Sequence, residues 1–309
     1  MSTPALAPRE HRSRLTGTGG DFEMAWFEWD AVPAQRGAPT ILLVHATGFH
    51  ARCWDQVVKH LEGRHVIAID VRGHGRSDKL PPFSWDQFGS DLVAFMNERG
   101  ITGAVGVGHS MGGYSVTEAA AALPEAFSRL VLIDPVILPP DAYAARRQWF
   151  EGDEHPTAKR RNQWRNWEEM FERFESRMPF AAWDRAVLED YCRYGVLPDP
   201  DAEGEGEGEG GGFVLACPPK VEASIYMGSA GRDIYAQVAK VQIPVTVLRA
   251  RERTAEQQSG GAMDFSTSPT FPALASRFPQ GRDVHLVKHS HFIPMEDPQL
   301  AAEYILGRR

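Results

Sequence analysis

Short, continuous apolar runs punctuate the chain at regular intervals. They read ILLV at 41–44, VIAI at 66–69, AVGV at 104–107 and LVLI at 130–133. A strand with one wet face alternates apolar and polar, whereas a strand covered on both faces is apolar throughout. Helical spacing fills the intervals near 53–62, 86–99 and 111–122. Strands that alternate with helices connect by right-handed crossovers into a mainly parallel sheet. Upstream, residues 22–29 (FEMAWFEW) alternate in part, which predicts a strand with one exposed face. The rhythm stops at Pro139-Pro140 and resumes at 244–248 and 284–287, with amphipathic segments near 270–277 and 297–306. The fold class expected is α/β, with helices flanking the central sheet.

The pattern divides the chain. Residues 1–20 are polar, carry Pro and Gly, and read as a flexible arm. Residues 21–138 and 236–309 make the α/β core, and 139–235 a helical cap inserted over the sheet edge. The cap segment holds Trp149, Trp164, Trp167 and Trp183 with Phe150, Phe171, Phe174 and Phe180, interleaved with charges at helical spacing. Most of these aromatics are expected to form the cap's own core, with some facing a substrate. The Glu/Gly-rich tract 203–212 cannot bury apolar surface and its charges repel, so it reads as a solvated, mobile loop. It lacks the mixed ligands and fixed spacing of a calcium loop.

Charge and composition narrow the partners. The formal net charge of −8 opposes nucleic acid, whose phosphates require clustered Lys and Arg. Cys53, Cys192 and Cys217 have no metal-ligand or redox spacing, which suits buried, reduced thiols in a cytoplasmic setting. The first ten residues lack an apolar core segment and no run of about 18 apolar residues exists, so neither a secretory leader nor a membrane span is expected. Oligomeric state leaves no mark on the sequence.

The candidate chemistry sits at Gly108-His109-Ser110-Met111-Gly112, between the third apolar run and a helical stretch. A serine on a tight strand-to-helix turn is held in strained geometry with its oxygen exposed. The helix that follows aims its N-terminus at developing negative charge. A serine hydroxyl also needs a base, a carboxylate to orient that base, and donors for an oxyanion.

Together with Leu43-Val44-His45-Ala46-Thr47-Gly48 and the stretch Asp70 to Asp78 (DVRGHGRSD), this element resembles the α/β-hydrolase family, of the lid-bearing esterase and lactonase type. The resemblance covers about 40–138 and 240–309. It implies a Ser-acid-His order, with His291 of His289-Ser290-His291-Phe292 as base and His289 as its rival. It places the acid after either of two strands. Asp134, at the end of the run 130–133, is favoured because the later strand leads to Arg249-Ala250-Arg251-Glu252-Arg253, without the usual Gly-x-x-Asp. Glu252 and Asp264 stay open as alternatives. Oxyanion donors are expected from the backbone N–H groups of Met111 and Thr47. The usual His-Gly is His45-Ala46 here, and alanine resists positive φ. Arg72, His74 and Asp78 read as structural support for the nearby loop.

The activity implied is serine hydrolysis of a carboxylic ester or lactone, the substrate a small molecule with an apolar or aromatic part. Ser110 argues against the epoxide hydrolases and haloalkane dehalogenases of this fold, which place aspartate at that turn. Carbon–carbon bond hydrolysis, haloperoxidase-type perhydrolysis, and ligand binding without catalysis are the alternatives. No dinucleotide glycine pattern, P-loop or His-rich metal motif is present, so no cofactor or metal is expected.

Overall fold

The computed structural model describes residues 7–17, 20–143, 155–201, 212–229, 232–254 and 265–309. Trp149, Phe150, residues 203–211 of the Glu/Gly-rich tract and the alternative acid Asp264 lie outside them. In chain order the strands are β1 (Arg9–Gly17), β2 (Gly20–Trp29), β3 (Ile41–Val44), β4 (Val66–Ile69), β5 (Ala104–His109) and β6 (Phe127–Ile133). They continue with β7 (Gln163–Trp164), β8 (Val196–Pro198), β9 (Phe213–Leu215), β10 (Val245–Ala250) and β11 (Gly281–Leu286). Eight form one sheet in the order β1-β2-β4-β3-β5-β6-β10-β11. From β4 to β11 every pairing is parallel, while β1 and β2 join antiparallel.

The apolar runs are uninterrupted because both sheet faces are covered. Successive side chains point to opposite faces. Leu42, Val44, Ile67 and Ile69 pack into one core with Phe88, Leu92 and Phe95 of α1 (Trp85–Arg99) and Met111 and Val116 of α2 (Met111–Ala122). Ile41, Leu43, Val66, Ala68, Val105 and Val107 pack into a second, with Trp54 and Val57. The segment between β6 and β10 holds α3 (Trp167–Phe174), α4 (Arg185–Tyr194) and α5 (Pro219–Met227). Its Trp164, Phe171, Trp183 and Tyr191 form a third core together with Phe49 and Phe292 of the main body.

Several sequence expectations need correction. Within the predicted arm, residues 9–17 form β1, an edge strand paired along its whole length with β2. Its polarity is that of an edge: Arg9 pairs with Glu28 and Asp30, and Arg12 with Glu23. β1 occupies the edge of β2, and both faces of β2 are covered by the cores, so β2 has no exposed face. Its Phe22, Met24 and Trp26 enter the first core and Phe27 and Trp29 the second. The segment 139–235 is not helical throughout, since β7, β9 and β8 make a small antiparallel sheet there. The helix expected over 53–62 is a 3-10 turn at Ala51–Trp54 and one α turn at Asp55–Val58. The segment 270–277 carries only the 3-10 turn Ala275–Arg277. The last strand ends one residue before the expected 287, at Leu286.

Candidate active site

Ser110 stands between β5 and α2 at φ 57°, ψ −117°. A non-glycine residue held there costs about 1–3 kcal/mol, which the surroundings must hold in place. They do so by close backbone contact. A Cβ on Gly108 would lie 2.3 Å from Gly112 O, and one on Gly112 would lie 2.2 Å from Val44 O. The glycines are therefore required for the approach of α2 to the ends of β5 and β3. Ser110 N–H donates to Ile133 O at 3.0 Å, which ties the turn to the end of β6.

β6 ends one residue before Asp134, which is fully buried and has φ 43°. Its Oδ1 accepts the Ala250 N–H at 2.9 Å and the Ser268 hydroxyl at 2.5 Å. Thr270 Oγ1 donates to Pro135 O at 2.7 Å and lies 3.2 Å from the same Oδ1. Oδ2 faces His291 Nδ1 at 2.7 Å, and His291 Nε2 faces Ser110 Oγ at 2.9 Å. A carboxylate only accepts, so Nδ1 carries the proton and Nε2 is left to accept from the serine hydroxyl. The three side chains form one hydrogen-bonded row, and Ser110 is the most accessible of them at 6%.

The imidazole is held from several sides. His291 N–H donates to Phe265 O at 3.2 Å, and the Phe265 ring stacks on the imidazole at 5.6 Å. His109 Nε2 donates to His291 O at 2.9 Å, joining the serine turn to the histidine loop. Burial first, then the neighbouring His291, holds the His109 pKa well below the usual histidine range, so it serves as a neutral brace. Ser290 bonds Glu296 through both its N–H and its hydroxyl.

The β3–α loop carries Thr47, buried at the same end of the sheet, with a hydroxyl that has no partner among the described residues. Met111 is the first residue of α2, and its N–H has no intrahelical acceptor. The positive φ of this loop falls on Gly48 (79°) rather than on Ala46, which accounts for the tolerance of alanine after His45. His45 Nε2 accepts the Val71 N–H at 3.0 Å, while its Nδ1 bonds Ala46 O at 2.7 Å. Asp70 accepts from the Ala51 and Arg76 amides, each at 2.7 Å. Arg72 pairs with Asp91, both side chains fully buried, and Asp78 accepts the Glu23 N–H. This is the scaffold role read from the sequence.

Other candidates stand apart. Glu252 is 52% exposed and pairs with Arg249. His289 lies 3.8 Å from Asp297 and makes no contact with Ser110. Ser268 and Thr270 were not foreseen, because nothing local to them marks a partner 134 or 136 residues upstream. Beside Gly48 and Phe49 a small cavity of about 10 Å³, room for about one water, is lined by Arg160, Tyr191 and Glu222 among others. Ser110 and His291 do not line it; the shared wall is the loop that bears Thr47. Cys53, Cys192 and Cys217 are buried free thiols. Among the described residues no cluster could hold a metal, and no helix is long and apolar enough to cross a membrane.

A parallel sheet with a strained serine at a strand-to-helix turn, facing an imidazole from the C-terminal region, defines an α/β-hydrolase architecture. The model of the Alpha/beta hydrolase family matches residues 41–303, and the chain belongs to that family. It is 37% identical over 101 residues to the lipase LipV of Mycobacterium tuberculosis, covering 33% of this chain and 39% of that protein. It is 38% identical over 105 residues to the bifunctional esterase/perhydrolase DCH of Acinetobacter calcoaceticus, covering 33% and 38%. The chain thus spans about two fifths of the length of these curated relatives. Among solved structures, E-2-(acetamidomethylene)succinate hydrolase superposes with a TM-score of 0.69 at 17% identity, covering 97% of this chain and 98% of that one. An esterase from Thermogutta terrifontis gives 0.62 at 22% identity, covering 96% and 97%.

Proposed function

We propose that the protein is a serine hydrolase acting on a carboxylic ester or lactone through an acyl-enzyme. The single observation that carries the reading is the row Ser110 Oγ–His291 Nε2 (2.9 Å) and His291 Nδ1–Asp134 Oδ2 (2.7 Å). Ser110 attacks the carbonyl while His291 takes its proton, then returns it to the departing alcohol. Asp134 holds the imidazole in the required tautomer and stabilises its cation. The N–H groups of Met111 and Thr47 receive the tetrahedral oxyanion. Water then attacks the acyl-enzyme with His291 again as base.

The segment 139–235 is the cap of this site. Its Trp183 and Tyr191 pack on Phe49, and Trp183 also meets Phe292, next to the base. That apolar ring supports a substrate with an apolar or aromatic portion. The names of the relatives are consistent with acyl transfer to water, as a lipase and an esterase/perhydrolase.

A fluorophosphonate probe is expected to label Ser110, located by mass spectrometry of the digest. Ser110→Ala is expected to fold normally and lose p-nitrophenyl ester turnover by about four or more orders of magnitude. Near-full turnover by that variant rejects the serine as nucleophile. A panel of esters, lactones, a vinylogous diketone and an acid with peroxide then separates ester hydrolysis from carbon–carbon cleavage and perhydrolysis.

A further inference from the structure

The base hangs from a loop that runs from the end of β11 at Leu286 to the helical turn Ile293–Glu296. Ser290, His291 and Phe292 are buried there. Outside a helix or a sheet, buried N–H groups must find other acceptors. Ser290 N–H donates to Glu296 Oε2 at 3.0 Å, His291 N–H to Phe265 O at 3.2 Å, and Phe292 N–H to Ser290 Oγ at 3.3 Å. The Ser290 hydroxyl in turn donates to Glu296 Oε1. Two of these three N–H groups, one on each side of the base, therefore depend on a single carboxylate.

That carboxylate stands on a fixed support. Of the turn that bears it, Ile293 packs in the second core and Met295 in the third, beside Trp183. Met295 O accepts the Asp184 N–H at 2.8 Å, and Glu296 N–H donates to Phe292 O at 2.9 Å. Glu296 is thus held by packing and by its own backbone, and its side chain reaches back to hold the loop. Asp134 aims the imidazole from the Nδ1 end of the ring, whereas Glu296 fixes the backbone from which the ring extends. Placement matters here, because a reacting group displaced by about 1 Å can lose about a hundredfold in rate.

Resting on the serine hydrolase reading, we propose that Glu296 is a positioning residue for His291. Acting through Ser290, it fixes the backbone that carries the base, and it does so by hydrogen bonding rather than by its charge. Glutamine separates the two. Its carbonyl oxygen can accept the Ser290 N–H, and its NH₂ can donate to Ser290 Oγ, because a hydroxyl accepts as well as donates. Glu296→Gln therefore keeps the clamp and removes the charge, while Glu296→Ala removes both.

The test is steady-state kinetics on one p-nitrophenyl ester. Glu296→Ala is expected to lower kcat about tenfold with KM within about twofold, and Glu296→Gln to stay within about threefold of the unaltered enzyme. Ser290→Ala is expected to lower kcat about threefold, and the double change to alanine to cost less than the product of the two single ones. The proposal is overturned if Glu296→Ala keeps full kcat, if its loss falls on KM alone, if glutamine is as poor as alanine, or if the single losses multiply. Should Glu296→Ala not fold, Ser290→Ala takes its place, and an unchanged kcat there overturns the proposal. A second readout needs no turnover. The Nδ1 proton held by Asp134 gives a far-downfield proton resonance, assigned by its loss in Asp134→Asn. It is expected to broaden or vanish in Glu296→Ala and to persist in Glu296→Gln. That pattern with no ester hydrolysed leaves the positioning role standing and removes the serine reading. Ester turnover, with both kcat and the resonance unchanged in Glu296→Ala, does the reverse.

Discussion

Two neighbouring strand ends, those of β6 and β10, lie side by side in parallel register, with Ile133 opposite Leu248. Either could supply the carboxylate that meets His291. They are built in opposite ways. Past β6 the chain turns into Asp134, buried, with both oxygens engaged. At and past β10 come Arg249 and Glu252, tied to Asp283 and to each other near the surface. β10 still contributes to the candidate site, but through its backbone: the Ala250 N–H donates to Asp134 Oδ1 at 2.9 Å. An orienting carboxylate needs one oxygen fixed so that the other can be aimed. The β6 end has that arrangement and the β10 end provides the donor for it.

The largest effect that can break this comparison comes from exchanging charge at the two ends in turn. Asp134→Asn keeps the volume but presents an amide to Nδ1, which favours the wrong imidazole tautomer. A fall in kcat of about three to four orders of magnitude is expected. Glu252→Gln is expected to stay within about twofold of the unaltered enzyme, because its side chain is half exposed and pairs with Arg249. Steady-state kinetics on one p-nitrophenyl ester checks both. If the two results exchange places, the acid belongs to β10 and the serine row must be redrawn.

What could be read in the sequence follows from how local each cause is. The runs at 41–44, 66–69, 104–107 and 130–133 are apolar because two faces are covered, and that cause is written in the run itself. Ser110 and His291 lie in motifs whose neighbours set their geometry. β1 was read as an arm because Arg9, Glu10, Arg12 and Arg14 give it no apolar period, and the strand exists through its pairing with β2. The small sheet of β7, β8 and β9 rests on two or three residues per strand, too few for any period to register. Asp134 could be placed by its strand, but Ser268 and Thr270 could not, since their role arises only when the chain returns to β6.

A smaller effect sharpens the account of how Oδ1 is fixed. Ser268→Ala removes one donor and leaves the Ala250 N–H and the nearby Thr270 hydroxyl. Ser268 touches Asp134 and neither Ser110 nor His291 in the row, so it acts as a positioning residue. Losing one hydrogen bond to a charged group is expected to lower kcat about tenfold, with KM nearly unchanged. Ser268→Thr is expected to recover most of the loss, since it restores a hydroxyl. A variant at Ser268 with full kcat would show that the backbone donor alone suffices.

The smallest effect probes the β10 side. Arg249 Nε and Nη2 donate to Asp283 Oδ1 and Oδ2 at 2.7 and 2.9 Å, a two-point pair on the edge strand β11. The pairing with Asp283 and Glu252 holds the Arg249 guanidinium pKa above its ordinary value. Arg249 is nearly buried, but the side chain of Asp283 is 37% exposed, so solvent screens the pair and limits what it contributes. Asp283→Asn is expected to cost about 1 kcal/mol, because one arm of the fork is weakened while Glu252 still accepts from Nη1 at 3.0 Å. In a domain of this size that is a fall in Tm of about 2 °C, read by calorimetry. Turnover is expected to hold within about twofold, since the pair reaches the site only through the position of the Ala250 amide. A drop in kcat with Tm unchanged would mean that the ion pair aims that amide, and the contrast between the two strand ends would then be one of reach rather than of role.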